Sequence, residues 1–289
     1  MLTPLPSTLS RRALLATATA LLAAAPAFAQ TPAYGNDPAR GAYAQVNGIK
    51  LYNEDHGSGP AVVVQLHGNS GDIASMAPQI AGLAPHFRVI AVDSRAHGKS
   101  EIGSVPLNYG QMAEDVNALL DQLQLKQVNV LGWSDGGILG LLLATKHPDK
   151  VGKLAIMGAN LNPAGAHEWA LAWVAREVEK TDRMMAANDA TQPWRRNRQL
   201  LNLLGQQPNI PVADLRQITA PTLVMAGDKD IVRGEHTLQI FENIPKAQRA
   251  LFAGATHFIP AEDPRLFNAT VLTFFQRSFK RPESKTALE

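Results

Sequence analysis

A serine, an acid and a histidine stand in the chain in the settings that nucleophilic acyl transfer requires. Gly132-Trp133-Ser134-Asp135-Gly136-Gly137 fits the pattern G-x-S-x-G. It follows an apolar run at 128–131 and opens a helical stretch from Ile138, so the serine falls on a sharp strand-to-helix turn. Such a turn strains the serine backbone and needs small neighbours, and it leaves the hydroxyl beside the positive end of a helix. A serine hydroxyl is a weak nucleophile until a base takes its proton and an acid orients that base. Of the eight histidines, His257 lies in Gly254-Ala255-Thr256-His257-Phe258, a loop between a short strand at 249–252 and the last helix. Asp228 and Asp230, in Gly227-Asp228-Lys229-Asp230, follow a strand at 222–225, and Asp230 is the better placed, being further out on the loop. The chain order is then Ser, Asp, His, with each member at the C-terminal end of a strand. The charge that develops on the attacked oxygen needs two amide donors. The N–H of Asp135 is one candidate. The other is the N–H of Asn69, in His67-Gly68-Asn69-Ser70-Gly71 after the first buried strand. Trp133, flanking the nucleophile, is a candidate for substrate contact.

Other chemistry is poorly provided for. His97-Gly98-Lys99-Ser100 ends like a phosphate-binding loop, but the leading glycine would be residue 93, which is Asp93. No G-x-G-x-x-G follows a strand, so no nicotinamide or flavin cofactor is expected. There is no H-E-x-x-H pair and no cysteine, so neither a metal site, a disulfide nor a thiol nucleophile is expected.

The elements that must position these residues follow a repeating pattern. Runs rich in Val, Ile and Leu at 61–66, 88–92, 128–131, 154–157 and 222–225 read as strands of a parallel sheet buried on both faces. Helical stretches such as 109–123 and 138–147 lie between them, and Asn47-Gly48 marks a tight hairpin before them. The reading is an α/β domain, a mostly parallel sheet with helices on both faces, over 43–160 and 216–280. Residues 161–215 hold only amphipathic helical segments and are expected to form a cap over the C-terminal ends of the strands, where open α/β sheets bind ligands. The tryptophans and methionines of this insert are expected to serve mainly as cap core, the alternative being that they line an apolar substrate pocket. Residues 30–42, rich in Pro and Gly, read as a mobile arm, and 281–289 as a tail.

Residues 1–29 read as a cleaved export signal. Arg11-Arg12 precede an Ala/Leu-rich run that ends in Ala27-Phe28-Ala29, and the paired arginines match twin-arginine export. The run is too short for a stable membrane anchor, so a periplasmic or secreted protein that meets the export machinery is expected. Without these residues the formal charge falls from +2 to zero, which provides no field for nucleic acid. The cluster Trp194-Arg195-Arg196-Asn197-Arg198 reads as a solvated helix face.

The elbow, His67-Gly68, the stretch from Asp93 to Ser100, the stretch from Ala220 to Asp230, and Gly254 to Phe258 together resemble the α/β-hydrolase superfamily over about residues 43–280. The variant Trp-Ser-Asp-Gly-Gly is most similar to the valacyclovir-hydrolase (biphenyl-hydrolase-like) branch. That resemblance implies a cofactor-free serine hydrolase acting on esters of small acids, aminoacyl esters among them. It also implies that Asp135 holds a substrate ammonium, although an aspartate there equally suits a helix N-terminus. Perhydrolysis and carbon–carbon bond hydrolysis use the same triad and stay open. From a different class, a non-catalytic protein that holds a small apolar ligand under the cap is the competing reading.

Overall fold

The computed structural model describes residues 33–281 and Ser284. The export-signal reading of residues 1–29 lies outside the described residues, as does most of the tail. Eight strands form one sheet: β1 (Gly41–Val46), β2 (Ile49–His56), β3 (Val62–Leu66), β4 (Arg88–Val92), β5 (Val128–Trp133), β6 (Val151–Met157), β7 (Thr222–Lys229) and β8 (Ala247–Thr256). Their order across the sheet is β1-β2-β4-β3-β5-β6-β7-β8. The β1–β2 and β2–β4 pairs are antiparallel, and β3 to β8 run parallel. The helices are α1 (Ala77–Leu83), α2 (Tyr109–Gln122), α3 (Asp135–Lys146), α4 (Glu168–Ala186), α5 (Trp194–Gln206), α6 (Gly234–Asn243), α7 (Ile259–Glu262) and α8 (Pro264–Gln276). None of them is long and apolar enough to cross a membrane.

Burial on both faces explains the unbroken apolar strands. Adjacent residues of β3 serve opposite layers: Val64 packs with Leu119 and Leu139 of α2 and α3, whereas Val63 packs with Leu83 and Phe267 of α1 and α8. The two ends of the site depart from the sequence reading in an informative way. Strand β5 runs on to Trp133, so the nucleophile candidate follows it without a spacer. Strand β8 has ten residues rather than the expected four; as an edge strand it carries polar Gln248 and exposed Arg249 and Gly254, which break the apolar run. Strand β7 continues to Lys229, paired with Thr256, which carries Asp230 and His257 past the sheet together.

The arm expected to be mobile is tied down where it is described. Gly35 and Asp37 donate backbone N–H bonds of 2.9 and 3.0 Å to the carboxylate of Glu54, which also accepts from the Tyr52 hydroxyl and bonds His56 Nε2. Burial pushes the Glu54 carboxyl up, but these hydrogen bonds outweigh it and hold the group below its ordinary range. A Pro/Gly-rich composition marks turns; it does not reveal that a buried carboxylate will receive them.

Between β6 and β7 stand α4, α5 and short 3₁₀ turns, the all-helical stretch that the sequence anticipates. Its attachments differ from side to side. Beside the acid loop they include main-chain links, His167 N–H to Ile231 O (3.0 Å), Arg233 N–H to Gly165 O (2.9 Å) and an Ala166–Val232 bridge, together with the Arg233 side chain donating to Ala164 O (2.7 Å). Along α5 they include the side-chain amides of Asn69 on Leu200 O and of Gln199 and Gln207 against Leu107 and Tyr109.

Candidate active site

Ser134 occupies the turn between β5 and α3 with φ 56° and ψ −116°, a left-handed backbone that a side-chain-bearing residue adopts only under constraint. The constraint is the close approach of α3 to the sheet. A Cβ on Gly136 would lie 2.2 Å from the carbonyl oxygen of Leu66, so only glycine lets the helix start there. The half-buried serine opens into a cavity of about 800 Å³, whose lining includes His257, Asn69, Asp135 and cap residues of α4 and α5.

The structure brings His257 and Asp230 together and sets Asp228 apart. His257 Nδ1 bonds Asp230 Oδ1 at 2.6 Å, with both residues buried. Asp230 is itself fixed by the N–H groups of Gly227 and Val232. Asp228 instead accepts the Gly254 N–H at 3.0 Å and so shapes the loop that leads to the histidine. The imidazole lies over Gly158, where φ is +63° and an added Cβ would come within 2.5 Å of His257 Cε1. The sequence reading does not find Gly158; its only trace there is a glycine directly after a strand.

Trp133, singled out for substrate contact, does line the cavity, but its indole N–H donates to the main-chain oxygen of His257 at 2.9 Å. Its ring meets Phe258 edge-on at 5.9 Å. One side chain next to the nucleophile therefore pins the backbone of the histidine. Nothing in a period or motif signals that bond, because the two residues are 124 positions apart.

Asn69 and Asp135 sit side by side. The N–H groups of both are unengaged by other groups among the described residues. The Asn69 side chain donates to Asp135 Oδ2 (2.9 Å) and to Leu200 O of α5 (3.2 Å). Asp135 is buried, and burial pushes its carboxyl up to about 6 against the opposing effects of Asn69, Tyr109 and His257. The neighbouring Tyr109 hydroxyl is raised well above its ordinary range, also by burial. Tyr109 is close enough to act on Asp135, yet neither Tyr109 Oη nor Asp135 Oδ1 has a hydrogen bond of ordinary geometry, and both residues line the cavity.

The residues that resembled a phosphate loop are braces. Asp93 accepts from the N–H groups of Ile73 and Lys99, and buried Arg95 makes a two-pronged pair with Asp115. His97 Nε2 accepts the Ser70 N–H at 3.1 Å, and His67 Nε2 accepts the Ser94 N–H at 3.0 Å. Burial lowers both imidazoles, His97 to about 3, and each keeps an acceptor nitrogen, His97 for the loop that carries Asn69 and His67 for the loop after β4. Among the described residues no group of three or more His, Asp or Glu is arranged to hold a metal ion.

The sheet order, the strained serine after β5 and the acid–histidine pair after β7 and β8 describe one fold, and the sequence pattern of the alpha/beta hydrolase fold matches residues 61–192. The chain has the α/β-hydrolase fold. It is 37% identical over 124 residues to serine hydrolase BPHL of Mus musculus, a match that covers 41% of this chain and 43% of that protein, less than half its length. It is 28% identical over 264 residues to the 2-hydroxy-6-oxononadienedioate/2-hydroxy-6-oxononatrienedioate hydrolase of Cupriavidus pinatubonensis (strain JMP 134 / LMG 1197), covering 78% of this chain and 90% of that one. Among solved structures, an esterase from Exiguobacterium antarcticum superposes with a TM-score of 0.72 at 26% identity, covering 82% of this chain and 100% of the esterase.

Proposed function

We propose that this protein cleaves small carboxylic esters through an acyl-enzyme. Ser134 attacks the carbonyl carbon, His257 takes its proton and later returns it, and Asp230 holds the imidazole in the required tautomer. The N–H groups of Asn69 and Asp135 receive the oxyanion, each such donor contributing on the order of 10²–10³ in rate. The observation that carries the reading is the 2.6 Å His257–Asp230 bond in the wall of the cavity onto which the strained Ser134 opens. The test is a fluorophosphonate probe followed by peptide mapping. The adduct is expected on Ser134; an unmodified Ser134 under conditions that label a known serine esterase would favour the non-catalytic ligand-holding alternative. The placement of this activity outside the cytoplasm rests on the sequence of residues 1–29 and is part of the proposal.

The acyl half that fits best carries an α-ammonium. Asp135 Oδ1 and Tyr109 Oη are two enclosed oxygens beside each other, with no other partner among the described residues, in residues that line the cavity, and an ammonium that came between them has three protons to donate. Asp135→Asn is expected to reduce kcat/KM for aminoacyl esters by roughly 10- to 100-fold, the worth of a charged hydrogen bond, and to affect matched neutral esters much less. The pH dependence follows from the raised carboxyl. Asp135 is ionised above about pH 6 in the free protein, so the preference for aminoacyl over neutral esters is present at pH 7–8 and declines as pH falls through 6. Equal losses on both ester types in the Asn variant would refute the ammonium contact.

A further inference from the structure

We infer that Trp169 and Trp173 of the cap, with Phe258 of the same cavity lining, form a subsite for a flat aromatic alcohol group of the ester. The inference rests on the serine-hydrolase reading above and assigns the leaving-group half of its substrate.

The tryptophans are not cap core, contrary to the expectation from the sequence. Helix α4 buries Ala170, Val174 and Thr181, while Trp169 and Trp173, one turn apart on a common face, remain 59% and 46% exposed. Phe258 is 50% exposed. All three nevertheless line the cavity that Ser134 and His257 share. Three large aromatic side chains held partly in water in the lining of one cavity forgo burial that would stabilise the fold, and an apolar rim of this kind marks a ligand site.

Position decides which half of an ester meets this rim. The chain entering α4 is bonded to the loop that follows Asp230, through His167 N–H to Ile231 O and the Ala166–Val232 bridge. Phe258 follows His257 directly, and its ring centroid is 5.6 Å from the imidazole. The rim thus lies on the side of the acid and base, whereas Asn69, Asp135 and Tyr109 belong to the loop after β3 and to α2 and α3. When the tetrahedral intermediate collapses, the bond from the carbonyl carbon to the alcohol oxygen breaks. The imidazolium of His257 gives its Nε2 proton to that oxygen, and the acyl group stays on Ser134. The departing alcohol must therefore sit next to His257, which is where the aromatic rim begins.

Geometry favours a flat group. The Trp169 ring is already stacked on His167, with centroids 6.3 Å apart and planes 15° from parallel, and Phe258 stands edge-on to both Trp133 and His257. Offset stacking and edge contacts reward a planar π-system beyond its area, and a saturated ring of the same size receives only the area.

The test compares benzyl acetate with cyclohexylmethyl acetate, which share an acyl group and a primary-alcohol leaving group. The wild-type ratio of kcat/KM is expected to favour benzyl by about 5- to 50-fold, as two aromatic contacts would give. The double variant Trp169→Ala/Trp173→Ala is expected to bring the ratio to within about twofold of unity. Trp169→Phe/Trp173→Phe should retain most of the preference, which separates stacking from loss of cap structure. Moving the ring to the acyl side, as ethyl phenylacetate against ethyl cyclohexylacetate, should show no dependence on these residues. A wild-type ratio near one, a ratio unchanged in the alanine variant, or equal dependence for the acyl pair overturns the subsite while leaving the hydrolase reading intact. Absence of both ester turnover and Ser134 labelling would remove that reading, and the subsite with it.

Discussion

Ser134→Ala is expected to lower kcat on a p-nitrophenyl ester by roughly 10⁴–10⁶ while leaving the thermal midpoint within a few degrees of wild type. The size of the loss follows from the role: without the hydroxyl no acyl-enzyme forms, and what remains is catalysis by the amide donors and by binding alone. The unchanged stability follows from the local backbone. Alanine carries the same Cβ as serine, so the left-handed φ of 56° costs it the same, and Ser134 Oγ is not a partner in the hydrogen bonds that hold the turn. Those are main-chain bonds, Ser134 N–H to Met157 O (2.7 Å) and the N–H groups of Gly137 and Ile138 to Ser134 O. Steady-state kinetics with the purified variant, checked for contaminating esterase by fluorophosphonate titration, provides the measurement. Activity within tenfold of wild type would refute the nucleophile assignment.

Asp230→Asn is expected to cost about 10⁴ in kcat with little change in KM. The carboxylate accepts the Nδ1 proton at 2.6 Å and so leaves Nε2 free to take the serine proton. An amide turned to donate toward Nδ1 would favour the opposite tautomer and block Nε2. The neighbouring Asp228→Asn provides the contrast. Its carboxylate accepts one backbone N–H, which an asparagine oxygen also accepts, so a loss below about tenfold is expected. The pair of variants distinguishes two aspartates two residues apart in one loop, and a larger loss at Asp228 would reverse their roles.

Most of the sheet and the pairing of Asp230 with His257 were legible because each leaves a local mark. Buried parallel strands leave apolar runs, and 88–92 coincides with β4; the serine turn leaves its glycines; the acid and base leave their positions just beyond strands. What escaped has no local signature. The bond from Trp133 to His257 joins residues far apart in the chain, and Gly158 matters only through an imidazole brought over it by β8. The arm at 33–40 looked loose because its anchor, Glu54, reads in sequence as the polar residue of an alternating strand. The cap tryptophans misled for a related reason: helical spacing identifies a shared face of α4, but it does not tell whether that face meets protein or an open cavity. Burial of Asp135, and with it the raised carboxyl, likewise depends on α2 bringing Tyr109 alongside.

The unequal fastening of the cap sets the direction in which the mouth can yield. Main-chain stitches fasten the margin beside Val232 and Ile231, while the margin along α5 is latched by amide side chains, Asn69 among them. A cap so mounted would yield first on the Asn69 side, so ester and alcohol would both pass there, with Asp230 and His257 undisturbed at the stitched edge.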